Sequence, residues 1–279
     1  MEFRWPKDFR RLQLVGLVVL GVVTLIVSVL ALTRYRAPVP QAATPAPHTQ
    51  DATSWPAEPE PTPEPEPLTP LQEVGLRLGE PGASVMVVGD GTGNEDDEWV
   101  AVWARDYLAI DRGVNYRLWD RYGLRWSEPV AMGQGPADLD VWNASVLAPE
   151  MTQEPARVQA AWQPVSAVFL SYGHWRDPAT VGAELTAILD VIRTQDPEVP
   201  VVVILQNPGP WSVAAAQEAS VRAVDEWAQH NGLPTVDVYN GFPADQGQRD
   251  ALLEADGSPT LDGSRLYASI VASALAPAA

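Results

Sequence analysis

Residues 12–32 run for 21 positions without a charged side chain, and Leu, Val and Ile dominate the run. About 20 such residues in helical form cross ~30 Å of hydrocarbon, so the stretch reads as a transmembrane helix acting as a signal anchor. A cleaved signal peptide is the rival reading, but its apolar core spans only ~7–15 residues. Here the run is longer, and Arg34 and Arg36 follow it directly. Arg4, Lys7, Arg10 and Arg11 precede it, so the positive-inside bias puts residues 1–11 in the cytoplasm and the rest of a single-pass chain outside the cell membrane.

Beyond the span, residues 37–70 hold eleven prolines among Ala, Thr and Glu. Such a stretch cannot bury enough apolar surface to fold and is expected to be a disordered stalk, advancing ~3 Å per residue where it is polyproline-like. Residues 71–279 remain for one domain, ample for a closed core. After Arg36 the chain carries 12 basic and 34 acidic side chains, a net of −22, which repels nucleic acid and other polyanions. Cysteine is absent, removing disulfides, thiolate metal sites and a cysteine nucleophile. No cofactor and no metal is expected.

Residues 84–90, an apolar β-branched run ending in the turn GDGTGN, read as a buried strand. A helix is predicted over 95–108, with Glu95, Asp96, Asp97 and Glu98 in its first turn, where the helix dipole favours anions. Four consecutive side chains diverge around a helix, so this cluster is read as helix-start chemistry and not as an ion site. Trp99 and Trp103, at i and i+4, are expected in the core. Strands are predicted at 114–122, 140–146, 165–172, 199–206 and 235–239, and helices at 180–194, 213–230 and 264–275. Strands alternating with helices over 200 residues argue for an α/β domain, a mainly parallel sheet covered on both faces. Sites in such sheets form beyond the carboxyl ends of the strands. That singles out residues 90–94, 142–145, 173–177, 206–208 and the loop 256–263.

At those strand ends the sequence resembles the SGNH, or GDSL, hydrolase family. Gly89-Asp90-Gly91-Thr92-Gly93-Asn94 looks like the nucleophile turn, Trp142-Asn143-Ala144-Ser145 like the second block, and Gly173-His174-Trp175 like the third. Asp256-Gly257-Ser258-Pro259-Thr260 with Gly263 is similar to the terminal block. The resemblance implies a three-layer αβα, flavodoxin-like domain. It also implies ester hydrolysis by a serine nucleophile, activated by a C-terminal histidine and aspartate, with an asparagine side chain among the oxyanion donors. This sequence departs from that pattern at each role. Gly91 stands at the nucleophile, Trp175 at the asparagine and Ser258 at the histidine, one residue too close to Asp256, while Val146, Leu147 and Ala148 stand where the second block's glycine is expected.

Asp90, Gly91, Thr92, Asn143, Gly173, His174, Trp175, Asp256 and Ser258 are therefore read as a vestigial site, on a domain that binds or scaffolds at the cell envelope with a glycan or protein partner. One alternative is an active ester hydrolase or deacetylase using Thr92 and His174. A further alternative is a structural ectodomain without a ligand. Trp142, Trp175, Trp211 and Asn94 are the ligand-binding candidates, and Trp175 has two readings, a stacking platform or a plug in the hole left by lost catalytic groups.

Overall fold

A computed structural model describes residues 67–277. The expected span at 12–32, the segment 1–11 and nearly all of the stalk lie outside the described residues. Among the described residues no helix is long and apolar enough to cross a membrane.

Six strands run parallel: β1 (Ala83–Gly89), β2 (Gly113–Asp120), β5 (Ala137–Asn143), β6 (Ala167–Ser171), β7 (Val201–Leu205) and β8 (Thr235–Asp237). Two short antiparallel strands, β3 (Arg125–Trp126) and β4 (Val130–Gly133), share the outer edge of β2. The parallel order is β2-β5-β1-β6-β7-β8. With β2 set aside, this is the flavodoxin-like doubly wound order, whose reversal point falls at β1 between β5 and β6.

Alternation along β1 makes two cores. Val85 and Val87 face one cluster, shared with α1 (Pro70–Gly79), α2 (Trp99–Trp103) and α8 (Leu261–Leu275), while Met86 and Val88 face another, shared with α3 (Glu154–Ala161), α4 (Val181–Gln195) and α5 (Ala214–His230). Helices thus cover both faces, which is why the central strands are apolar throughout instead of alternating. Trp99 stacks on Tyr267 of α8 with ring centroids 4.9 Å apart, and Trp103 packs on Phe169 at 5.4 Å, so both tryptophans are core. Two short helices, α6 (Val238–Gly241) and α7 (Gln246–Asp250), precede α8.

Three expectations need correction. The end of the predicted stalk is a helix start: Thr69 and Gln72 form a reciprocal capping box, with Pro70 at the first helical position, where its missing N–H costs nothing. The acidic run is not in a helix either, since residues 91–98 form the turn after β1 and α2 starts at Trp99. Its chain is held by Glu98, whose carboxylate accepts the Glu95 N–H at 2.7 Å. Burial pushes the Glu98 carboxyl up to about 8, against that bond. Finally, β5 ends at Asn143, and residues 144–149 leave the sheet as an irregular strip.

Candidate functional site

Asp90 sits beyond β1, at the reversal point, 4 % exposed. A carboxylate there needs donors, and it has four. Its Oδ1 accepts the Thr92 N–H at 3.2 Å, the Thr92 hydroxyl at 3.0 Å and the Gln206 amide at 2.9 Å, and its Oδ2 accepts the His174 N–H at 3.4 Å. Gln206, at the end of β7, also donates to the Ser171 carbonyl at 2.9 Å. Asp90 is therefore the knot that ties the ends of β1, β6 and β7.

Thr92 and Asn143 lie beneath that knot. Thr92 is 1 % exposed, with its hydroxyl committed to Asp90. Asn143 is fully enclosed: its amide donates to the Gly93 carbonyl at 2.6 Å and the Tyr116 hydroxyl at 2.8 Å, and its Oδ1 accepts the Ser145 N–H. Gly93 has to be glycine, because a Cβ there would stand 2.8 Å from Val100 Cγ2. Asn143 thus fixes the shape of the turn instead of reaching a ligand.

Above the knot is a cleft of about 270 Å³ that gathers Asp90, Gly91, His174, Trp175, Asp256 and Ser258, closed on one side by Leu147, Ala148 and Pro149. Gly91 faces Leu147, whose Cδ1 would lie 2.9 Å from a Cβ at position 91. Trp175 is left-handed, at φ 59°. Its indole N–H donates to the Asp256 carbonyl at 2.9 Å and its backbone N–H to Gln217 at 3.2 Å. The ring lies against Gly209 and Gly257, where added Cβ atoms would come within 3.4 and 2.8 Å of it. The indole therefore fills the space between three loops, yet stays 44 % exposed.

His174 packs beside it at 4.7 Å between ring centroids, and its Nε2 is buried without a hydrogen-bond partner. Burial holds its imidazole below the usual histidine range, against the opposing pull of Asp90 and Asp256. It reaches Asp90 through its backbone only, and no hydrogen bond joins it to Thr92 or Ser258 among the described residues. Asp256 Oδ1 accepts the Ser258 N–H at 3.0 Å.

Three of the tryptophan and asparagine candidates fall elsewhere. Trp142 is half-buried in a ladder with Trp126, at 5.0 Å, and carries the Arg117 guanidinium over its ring at 4.4 Å. Trp126 of β3 covers it, which is why a strand-end tryptophan here does not reach the cleft. Trp211 is 64 % exposed on a 3₁₀ turn outside the cleft lining. Asn94 stands beside Gly91 and donates to Glu95 at 3.2 Å, with its Oδ1 buried and unpartnered. Gly173, at φ 139°, contributes backbone only, accepting the Ser220 hydroxyl at 2.7 Å. Among the described residues no cluster of three or more His, Asp or Glu could hold a metal ion.

Two features were not foreseen. Ala148 is left-handed at φ 46°, so the backbone shape that suits glycine is present in this strip even though the glycine is not. And three arginines from three elements clamp the strip by its carbonyls: Arg157 donates to Ala144 at 2.6 Å, Arg121 to Leu147 at 2.7 Å and Arg176 to Pro149 at 3.1 Å.

No family model matches the chain, and no curated protein matches its sequence. Solved structures do. One is a peptidoglycan O-acetylesterase, with a TM-score of 0.52 and 12% identity over 74% of this chain and 93% of that one. Another is an α/β hydrolase enzyme from the metagenome of Lake Arreo, Spain, at 0.51 and 16% over 71% and 98%. A member of the lipolytic protein G-D-S-L family from Veillonella parvula scores 0.48 at 16% identity over 67% and 95%. The order of the strands, the place of the cleft at their carboxyl ends and the first two of these likenesses agree: in fold this chain resembles the SGNH/GDSL hydrolases.

Proposed function

We propose that the chain is a membrane-anchored, extracytoplasmic SGNH-hydrolase-like domain that has lost ester hydrolysis and uses the cleft above Asp90 to bind a ligand at the cell envelope. One observation carries the reading: Gly91 occupies the nucleophile position, and the nearest hydroxyl on that turn, Thr92, is buried and donates to Asp90. Acyl transfer needs an accessible nucleophile, a base within hydrogen-bond reach and donors aimed at the oxyanion. With Trp175 in place of the asparagine, the third requirement is weakened as well. Losing nucleophile or base in such a triad lowers turnover by about 10⁶.

Offered a chromogenic acetyl ester, the purified full-length chain is expected to hydrolyse it no faster than buffer does. The second reading, a working hydrolase, is favoured by His174 and Ser258 lining one cleft. Turnover that disappears on His174→Ala, Thr92→Ala or Ser258→Ala would establish that reading and sink the first.

The anchoring rests on the uncharged run at 12–32 and the proline-rich stretch after it. In isolated membranes the full-length chain should resist carbonate extraction, and deletion of residues 12–32 should release it to the supernatant. Equal release of both forms would overturn the anchor.

A further inference from the structure

Three non-glycine residues of the described domain have positive φ: Leu124 at 48°, Ala148 at 46° and Trp175 at 59°. All three border two adjoining hollows. The cleft above Asp90 meets, at Ala148 and Pro149, a larger one of about 720 Å³ whose lining includes Arg121, Tyr122, Leu124, Glu150, Gln153 and Arg157. Left-handed non-glycine backbone is uncommon, persists only where its surroundings hold it, and gathers at binding and catalytic sites. Here the holding device is visible, because the strip between the two hollows is the one that Arg157, Arg121 and Arg176 clamp by its carbonyls.

The surfaces of the two hollows have a common chemistry. Each presents one exposed aromatic ring: Trp175, 44 % exposed, in the smaller and Tyr122, 83 % exposed, in the larger. Around the rings stand hydrogen-bonding groups, Asp256 and Ser258 on one side of the strip and Glu150 and Gln153 on the other. Among the described residues, Arg157 is the one lining arginine ion-paired with a carboxylate. Arg157 pairs with Glu154 and Tyr172, and Arg121 donates to the Tyr122 hydroxyl at 2.8 Å as well as to Leu147. Arg176 donates to the Pro149 carbonyl alone, yet four carboxylates, those of Asp90, Glu150, Glu154 and Asp256, stand along the groove against three arginines, a balance that does not favour an anionic ligand.

We propose that the two hollows act as one groove for a neutral oligosaccharide, which crosses the 147–149 strip and stacks sugar rings on Trp175 in one half and on Tyr122 in the other. A pyranose offers an apolar C–H face to an aromatic ring and hydroxyls around its rim to carboxylate, amide and hydroxyl groups, which is the mixture these walls provide. The inference rests on the reading that the cleft binds without turnover, and it adds the second half of the site and the ligand class.

The test is titration calorimetry of the full-length chain with N-acetylglucosamine oligomers and cello-oligomers of two to six units. In one of the two series the Kd should tighten about tenfold between two and five units, as one more stacked ring is engaged. Tyr122→Ala should abolish that gain; Tyr122 is mostly exposed, so the variant keeps its core. Trp175→Phe should weaken every length. Equal affinity for dimer and hexamer, unmoved by Tyr122→Ala, would overturn the extended groove while leaving binding in the cleft intact. Failure of both series at every length would overturn this inference, and an active-ester result in the hydrolysis assay would separately overturn the reading beneath it. Tighter binding of an oligouronate or of oligolysine would overturn the assignment of a neutral ligand.

Discussion

Arg157→Ala should destabilise the domain by about 3–5 kcal/mol, the cost typical of removing one partner from a buried ion pair. Arg157 and Glu154 are nearly enclosed, with side chains 9 % and 3 % exposed. The guanidinium donates through Nε to Glu154 at 2.7 Å, through Nη2 to Glu154 and to the Tyr172 hydroxyl, and through Nη1 to the Ala144 carbonyl. The Tyr172 hydroxyl in turn donates to Glu154. Alanine would leave a buried carboxylate with one remaining donor and would bare the Ala144 carbonyl. The large value thus measures an uncompensated charge and not the net worth of the pair, which is why a second variant is informative. Arg157→Met with Glu154→Leu and Tyr172→Phe removes all three polar partners together and should cost much less than the single change. Both are measured by urea unfolding at neutral pH, where midpoint and slope separate stability from a change in compactness. A loss below about 1 kcal/mol for Arg157→Ala would mean that water reaches the pair and that the clamp on the 144–149 strip is weak.

That network also marks the limit of what sequence alone reveals here. Strands β1, β6 and β7 were legible because each is a short apolar run buried nearly throughout, and Trp99 and Trp103 were legible as core from their helical spacing. The cleft was legible in outline, since strand ends in an open parallel sheet converge wherever the strand order reverses. Side-chain destinations were not. Trp142 sits at a strand end like a ligand-facing residue, but β3, only two residues long, gives no periodic signal, and its Trp126 is what packs on the Trp142 ring. The start of α1 was hidden for a related reason: Thr69-Pro70 closes a run of prolines, and only the tertiary burial of Val74 and Leu78 decides that a helix begins there. Ala148 carries no local mark of its left-handed backbone, which the arginine clamp imposes through bonds that span 13, 26 and 27 residues of the chain.

Rebuilding the missing catalytic groups should produce ester hydrolysis only once Trp175 is also replaced. Gly91→Ser restores a hydroxyl, and the atom that crowds it is the end of the flexible Leu147 side chain, so the added Cβ can be accommodated. Ser258→His returns an imidazole to the same cleft, two residues from Asp256. In that double variant Trp175 still stands in the asparagine's place, its indole tied to the Asp256 carbonyl and wedged against Gly257. An oxyanion donor is then missing, which alone lowers turnover by about 10²–10³. Trp175→Asn removes the wedge and supplies an amide, and its backbone is already left-handed, a conformation asparagine adopts more readily than most residues. The triple variant is therefore expected to hydrolyse an activated acetyl ester about 10²–10³ faster than the double, with Trp175→Asn alone inactive. Equal rates for double and triple variants would show that Trp175 obstructs nothing. A triple variant as inert as the parent would trace the defect to the spacing of positions 256 and 258, where a histidine stands two residues from Asp256.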